Sequence, residues 1–405
     1  MGLTGEDILC LASHDWDYLW QRHQELMWRL AQDGNRVLYV DALGVRTPGI
    51  RDWRRVLGRL RKWGIQLVRG VRQSATNVYV YSPVILPFLD SPWVVRVNSW
   101  WLGFSIQRIL QHLGFGDLIV WVYLPTPTVM NLVNRLRRKL LVYDCADAQI
   151  HNPRGTVAGL IASERWVLAQ ADLVFTSSAS LHKRAVTYNS NVHLVPAGVN
   201  LDRFPEVLER NDRSPADLAV IPTPRICYFG QIDDRLDQGL LARVAQSVPG
   251  GSLVLLGTIR TDISALLQMS NVHWLGPKPH TELASYLAGM DVFIMPYQLN
   301  DYTRAIYPAK LHECLAIGKP LVTTDLPEVR PFRHVVRIAR EADEFLQQVF
   351  EALAEEDQCV RAQRRCVAEA NSWQSRYEII AEKLVKCLKA KGQAKLTTPM
   401  ESGVF

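Results

Sequence analysis

The sequence predicts an α/β protein built from two Rossmann-like units in tandem, and three observations carry this. Short apolar runs of strand length alternate with segments of helical period along the whole chain, the pattern of a parallel sheet wrapped by helices. The alternation breaks at a stretch containing Pro and Gly, PAGVNLDRFPE, with a polar segment at 209–217, and then restarts. At 405 residues the chain exceeds what one core usually supports, so two domains of roughly 200 residues are expected.

In the first half the expected strands are 8–12, 37–40, 78–81, 118–123, 140–143, 173–176 and 192–195, each a short apolar run. Helices fall between them, notably 19–32 and 159–170. In the second half the strands are 225–229, 252–256, 272–274, 292–295 and 320–323. A last long helix spans 373–391, and the tail GQAKLTTPMESGVF has no period and reads as disordered. The domains are therefore 1–200 and 201–372, followed by the C-terminal helix, 373–392, and the tail, 393–405.

Composition is that of an ordinary globular protein. Seven scattered cysteines, several inside apolar runs, read as free thiols in a reducing compartment. No CxxC pair is present, so no zinc site is expected, and no other metal or cofactor either. The N-terminus lacks a basic region followed by an apolar one, and the longest uncharged span, 118–134, is interrupted by LPTPT, which reads as strand, loop and helix. A cytoplasmic protein is the expectation.

The net charge of +6 is uneven: 46–73 holds nine Arg or Lys and one acid, a local +8, leaving about −2 for the rest. In that segment Trp53, Val56, Leu57, Leu60, Leu67 and Val68 recur near a 3.6-residue period, with arginines and Lys62 around much of the remaining circumference. Such a basic amphipathic helix fits an anionic membrane surface, or else packs its stripe on its own domain with the arginines solvated. A nucleic-acid partner is not expected, since there is no aromatic platform beside the charge.

Ligands of open parallel sheets bind outside the carboxyl ends of the strands, so chemistry is sought just after them. His14 follows the first strand, where a neutral imidazole can hold a substrate hydroxyl or a developing charge; the alternative is a solvated loop histidine. The neighbouring DWD has no nucleotide-binding unit before it, which argues against a metal motif. LLVYDCADAQIHN ends a strand with Asp144 and then Asp147. One carboxylate there suits a general base for an incoming hydroxyl; Asp147 is the better candidate, with Asp144 capping the loop.

In the second half Gly230 sits at a strand-to-helix turn where backbone amides can approach a phosphate. In YTRAIYPAKLHE, Arg304 and Lys310 bracket a helix start that favours an anion, and Glu313, one turn on, can accept two ribose hydroxyls. Together these describe a nucleoside diphosphate site; the alternative is a surface pair of Lys310 and Glu313.

PAKLHECLAIGKPLVTT resembles the nucleotide-sugar helix of GT-B glycosyltransferases, near the form found in bacterial exopolysaccharide enzymes. VPAGVNLDRF is similar to their interdomain motif, NVHWLGPKPHTELASYLAGMDVFIMPY to the segment bordering the base, and DWDYLWQRHQELMWRLA to the start of teichuronic-acid-type members. The resemblance implies two Rossmann-like domains facing a cleft, an acceptor-binding N-terminal one and a nucleotide-sugar-binding C-terminal one. It also implies a C-terminal helix packing back toward the N-terminal domain. Lys310 and Arg304 would hold the diphosphate and Glu313 the ribose; the loop with Gly276 and Lys278, and Tyr297 at the end of its segment, would border the base. Retaining members carry a second glutamate eight residues before the ribose one, where this chain has Ala305. That departure is similar to the xanthan-type glucuronosyltransferases, which invert, and favours inversion with Asp147. The implied activity is sugar transfer from a nucleotide sugar, UDP-linked, to a polyprenyl-linked or glycan acceptor on the inner face of the cell membrane. An epimerase or hydrolase of the same fold and a non-catalytic nucleotide-binding partner are the alternatives.

Overall fold

The apolar runs of the first half assemble into one eight-stranded sheet. The computed structural model describes residues 2–18, 20–43, 70–86, 91–147, 159–204 and 215–397. The strands are β1 (Asp7–Leu11), β2 (Arg36–Val40), β3 (Val71–Ala75), β4 (Val78–Tyr81), β5 (Leu118–Val122), β6 (Arg138–Cys145), β7 (Leu173–Thr176) and β8 (Val192–Leu194). Their order across the sheet is β3-β4-β2-β1-β5-β6-β7-β8, parallel except for the β3/β4 hairpin. Leu9 of β1 stands opposite Leu38 of β2 and Val120 of β5, and all of β1 and β5 is buried. Strands covered on both faces read as continuous apolar runs, which is why these were visible in the sequence. Helices α1 (Arg22–Gln32), α2 (Pro92–His112), α3 (Pro127–Val133), α4 (Leu160–Gln170) and α5 (Ala179–Ala185) supply the cover.

The second unit has helices α6 (Ala216–Ala219), α7 (Gln238–Ser247), α8 (Ser264–Leu267), α9 (His280–Ala288), α10 (Asp301–Arg304), α11 (Leu311–Ile317), α12 (Ala342–Leu353) and α13 (Gln358–Ala370). Its all-parallel sheet runs β11 (Val272–Gly276), β10 (Ser252–Leu256), β9 (Arg225–Phe229), β12 (Val292–Met295), β13 (Leu321–Thr324), β14 (Arg337–Ala339). Strand order reverses between β9 and β12, and in the first sheet between β1 and β5. Crevices at such reversals are where open sheets bind ligands.

The units comprise 1–196 with 377–405, and 197–376. The final helix, α14 (Trp373–Thr397), passes from the second into the first, where Tyr377 donates to Asp33 at 2.5 Å and Lys391 pairs with Asp172 at 2.6 Å. It continues to Thr397, into the stretch expected to be unstructured; 398–405 lie outside the described residues.

Two strands were not expected. β3, VRQSA, is a half-exposed hairpin partner with polar residues at three of five positions, and β14 is a three-residue edge strand. Val71, Arg72 and Gln73 are therefore strand, not the end of a basic helix, and 46–69 lie outside the described residues. Among the described residues no helix is long and apolar enough to cross a membrane.

Candidate active site

At the reversal point of the second sheet, β9 leads into Gly230, β12 leads to Tyr297, and Lys310 stands at the N-cap of α11. Gly230 has φ 112°, and a methyl group there would lie 2.6 Å from Lys310 Nζ. Gly257, which follows β10, has φ 142°; a methyl group there would meet the Gly230 carbonyl oxygen at 1.8 Å. Two glycines thus let the ends of β9 and β10 close on each other and leave room for the lysine head.

The Lys310 ammonium donates to the Phe229 carbonyl at 2.5 Å and lies 3.9 Å from the centre of the Tyr228 ring and 5.6 Å from that of Tyr297. One of its three N–H groups is thereby used, and the aromatic faces hold the charge in place. Burial pushes the Tyr297 hydroxyl up, but the charges of Lys310 and Arg235 outweigh it and hold that hydroxyl below its ordinary value. Arg235 is itself clamped by both Asp233 oxygens at 2.8 and 2.9 Å. Glu313 lies half-buried in the first turn of α11. Because α11 has only seven residues, its dipole is a minor attraction beside the fixed charge of Lys310.

The other expected donor residues are placed differently. Arg304 is exposed at the end of α10, and its charge acts with Arg330 and Arg340 on Asp325, just after β13. Lys278 is engaged by Asp217 at 2.8 Å and sits 4.3 Å over the Tyr286 ring, whose hydroxyl donates to the same carboxylate. It therefore pins the loop rather than offering an open charge. Gly276, at φ 72°, ends β11, and its carbonyl accepts from the Gly257 N–H at 2.9 Å, so the loop is tied to the two-glycine contact.

In the first unit His14 follows β1 and exposed Asp147 follows β6, with β5 between those strands, so both stand at the carboxyl edge of one sheet. Ser13 Oγ links His14 Nδ1 at 3.0 Å to His23 Nε2 at 2.8 Å. Burial and the nearby His14 and Arg22 hold His23 well below its usual range, hence neutral, and its Nδ1 has no partner. If His23 carries its proton on Nε2, it donates to Ser13, which donates to His14 Nδ1. His14 then presents an Nε2–H, which suits it to donate to a ligand oxygen. Asp144 is fully buried, bonded through both oxygens at 3.0 Å to Arg22 Nε, whose Nη1 reaches the Val195 carbonyl at 2.7 Å. It is an internal ion-pair partner instead of the loop cap expected. In the DWD stretch Asp17 pairs with Arg72 at 2.6 Å.

Sequence reasoning missed Gly257, Tyr228, Arg235 and Arg22. Gly257 had a signal, a glycine directly after a strand as at Gly230. The ring beneath Lys310 and the partner of Asp144 had none, because they arise from register and distant packing.

The fold is that of GT-B glycosyltransferases, two parallel-sheet units with the paired-glycine and lysine site in the second. Residues 223–355 match the family described as Glycosyl transferases group 1. The chain is 27% identical over 321 residues to TuaH of Bacillus subtilis (strain 168), named for teichuronic acid biosynthesis as a glycosyltransferase; the match covers 74% of this chain and 75% of that one. Among solved structures it is similar to sucrose-phosphate synthase of Thermosynechococcus elongatus (TM-score 0.72, 15% identity, 95% of this chain and 100% of that one). It is also similar to Anabaena HepE in complex with UDP (TM-score 0.65, 13% identity, 95% and 100%).

Proposed function

We propose that this protein transfers a sugar from a UDP-sugar to a polyprenyl-linked or glycan acceptor in the assembly of a cell-surface polysaccharide. The observation that carries the reading is the Lys310 ammonium, held over Tyr228 beside two side-chain-free strand ends at the reversal of the second sheet. A fixed cation next to glycine backbone at that place suits a diphosphate. The UDP complex of HepE and the name of TuaH support the donor class and the cell-surface setting. Glu313 takes the ribose, and the loop at Gly276, shaped by Lys278, and Tyr297 border the base. Arg304 joins the diphosphate from α10. No metal or other cofactor is needed.

On the acceptor side Asp147 serves as general base and His14 donates a hydrogen bond to the acceptor or to developing charge. With Ala305 in place of a second glutamate, inversion at the anomeric carbon is the favoured course. The enzyme acts in the cytoplasm at the inner face of the membrane, with the basic segment 46–73 contributing attraction to anionic lipid.

The test is a thermal-shift screen against UDP, ADP and GDP. A ligand at one hundred times its Kd stabilises by about 2.7 kcal/mol, or roughly 5–11 °C for domains of this size at about 2–4 °C per kcal/mol. A rise with UDP alone supports the reading; no rise with any nucleoside diphosphate refutes it.

A further inference from the structure

We propose that the exposed face of α2 is a bilayer-docking surface that inserts indole and phenyl rings among anionic lipid headgroups. Helix α2 differs from an ordinary surface helix in being apolar on both sides, with Val94, Leu102, Ile106 and Leu110 buried in the core. Its outward face carries Trp93 and Trp100, 62% and 61% exposed, with Val97, Trp101 and Phe104, while its inward face includes buried Asn98 and Ser99. Those inward polar groups are satisfied: Asn98 exchanges two hydrogen bonds with the Leu86 backbone at 2.8 and 3.0 Å, and Ser99 Oγ donates to the Val95 carbonyl at 2.6 Å. The stripe is therefore not a misplaced core face, since the core side of α2 is already complete.

The five outward apolar residues fall at i, i+4, i+7, i+8 and i+11, one continuous stripe about 16 Å long at 1.5 Å per residue. Trp100 stacks on Phe104 at 6.0 Å, and Arg108 lies 4.7 Å over the Phe104 ring. A contiguous exposed aromatic patch marks an interaction site, and Trp is the residue whose ring suits the boundary between headgroups and acyl chains. Charge selects the occupant. Residues 92–112 hold Arg96 and Arg108 and no Asp or Glu. Two copies of the stripe pressed together would bring arginines together with no acid on either helix to pair them, whereas an anionic headgroup layer supplies the missing charge.

α2 leaves the carboxyl end of β4 and returns the chain to the start of parallel β5, so Trp93 and Val97 stand at the sheet end that carries His14 and Asp147. Docking there would bring membrane-borne acceptors to that end. The surface itself does not depend on the transfer reading, nor on segment 46–73.

The test is flotation of the full-length protein with vesicles of equimolar phosphatidylcholine and phosphatidylglycerol against pure phosphatidylcholine, read with brominated acyl chains that quench inserted indoles. The wild type should bind only the anionic vesicles and be quenched. Trp93→Gln/Trp100→Gln/Phe104→Gln, with unchanged circular dichroism, should lose about tenfold or more in lipid affinity. Trp93→Phe/Trp100→Phe should still bind with much less quenching. Absence of wild-type binding, equal binding of the glutamine variant, or a lipid-independent dimer abolished by that variant would each overturn the proposal, the last in favour of a second copy of the chain. None of these readouts involves a nucleotide, so failure here is distinct from failure of the donor site.

Discussion

Replacing Gly257 by Ala tests whether the two-glycine contact holds the donor site together. A Cβ there would lie 1.8 Å from the Gly230 carbonyl oxygen and 2.7 Å from its carbon, both backbone atoms that no rotamer change can remove. The ends of β9 and β10 must separate, which shifts Gly230 against Lys310. Gly276→Ala is the internal control, because that residue also has positive φ, 72°, but open space where its Cβ would go. The backbone term costs about 1–2 kcal/mol at Gly276, in the left-handed region, and about 1–3 kcal/mol at Gly257, whose φ of 142° lies outside that region. Overpacking adds roughly 1–3 kcal/mol at Gly257 only. Hydrogen exchange of peptides covering β9 and β10, with urea unfolding, reads the difference, since a two-unit chain does not guarantee one cooperative transition. Gly257→Ala should be the less stable variant and should lose UDP affinity. Equal stability of the two variants would refute the close approach as the element that shapes the site.

Three further outcomes are expected. Asp147→Asn should leave UDP affinity intact while transfer falls by about 100-fold or more, and NMR showing retained anomeric configuration in the wild-type product would count against Asp147 as base. Burial pushes the Asp41 carboxyl up to about 6 against the hydrogen bonds from Ser82 and the Trp16 N–H. The unfolded chain therefore ionises first, so stability falls as pH rises from about 4 to 6 and then levels, by about 3 kcal/mol in all. Asp41→Asn should lack that slope, and parallel pH–stability curves would contradict it. Arg22→Met leaves Asp144 buried without its partner and should destabilise the first unit by about 3–5 kcal/mol in urea, whereas a change below 1 kcal/mol would dismiss the pair as structural.

The strands with both faces covered were legible because their apolar runs are continuous, as in ICYF before Gly230 and LIVWV at β5. β3 and β14 were not, because a polar hairpin partner and a three-residue edge strand both lack a continuous apolar run, and their identity comes from their neighbours. At the donor site Lys310 and Gly230 could be singled out from local context, a cation before a helix and a glycine after a strand. Their meeting could not, since 80 residues and the register of β9 beside β12 separate them. Lys278 shows the opposite limit: a cation in an expected ligand loop is engaged by Asp217, 61 residues away.

Calorimetric titration of UDP into wild type and Lys310→Ala tests the central claim most directly. Losing a charge-assisted hydrogen bond to phosphate should weaken binding by roughly 1–3 kcal/mol, about fivefold to more than a hundredfold, with the fold intact. UDP binding of equal affinity to both proteins would remove Lys310 from the site and contradict the account.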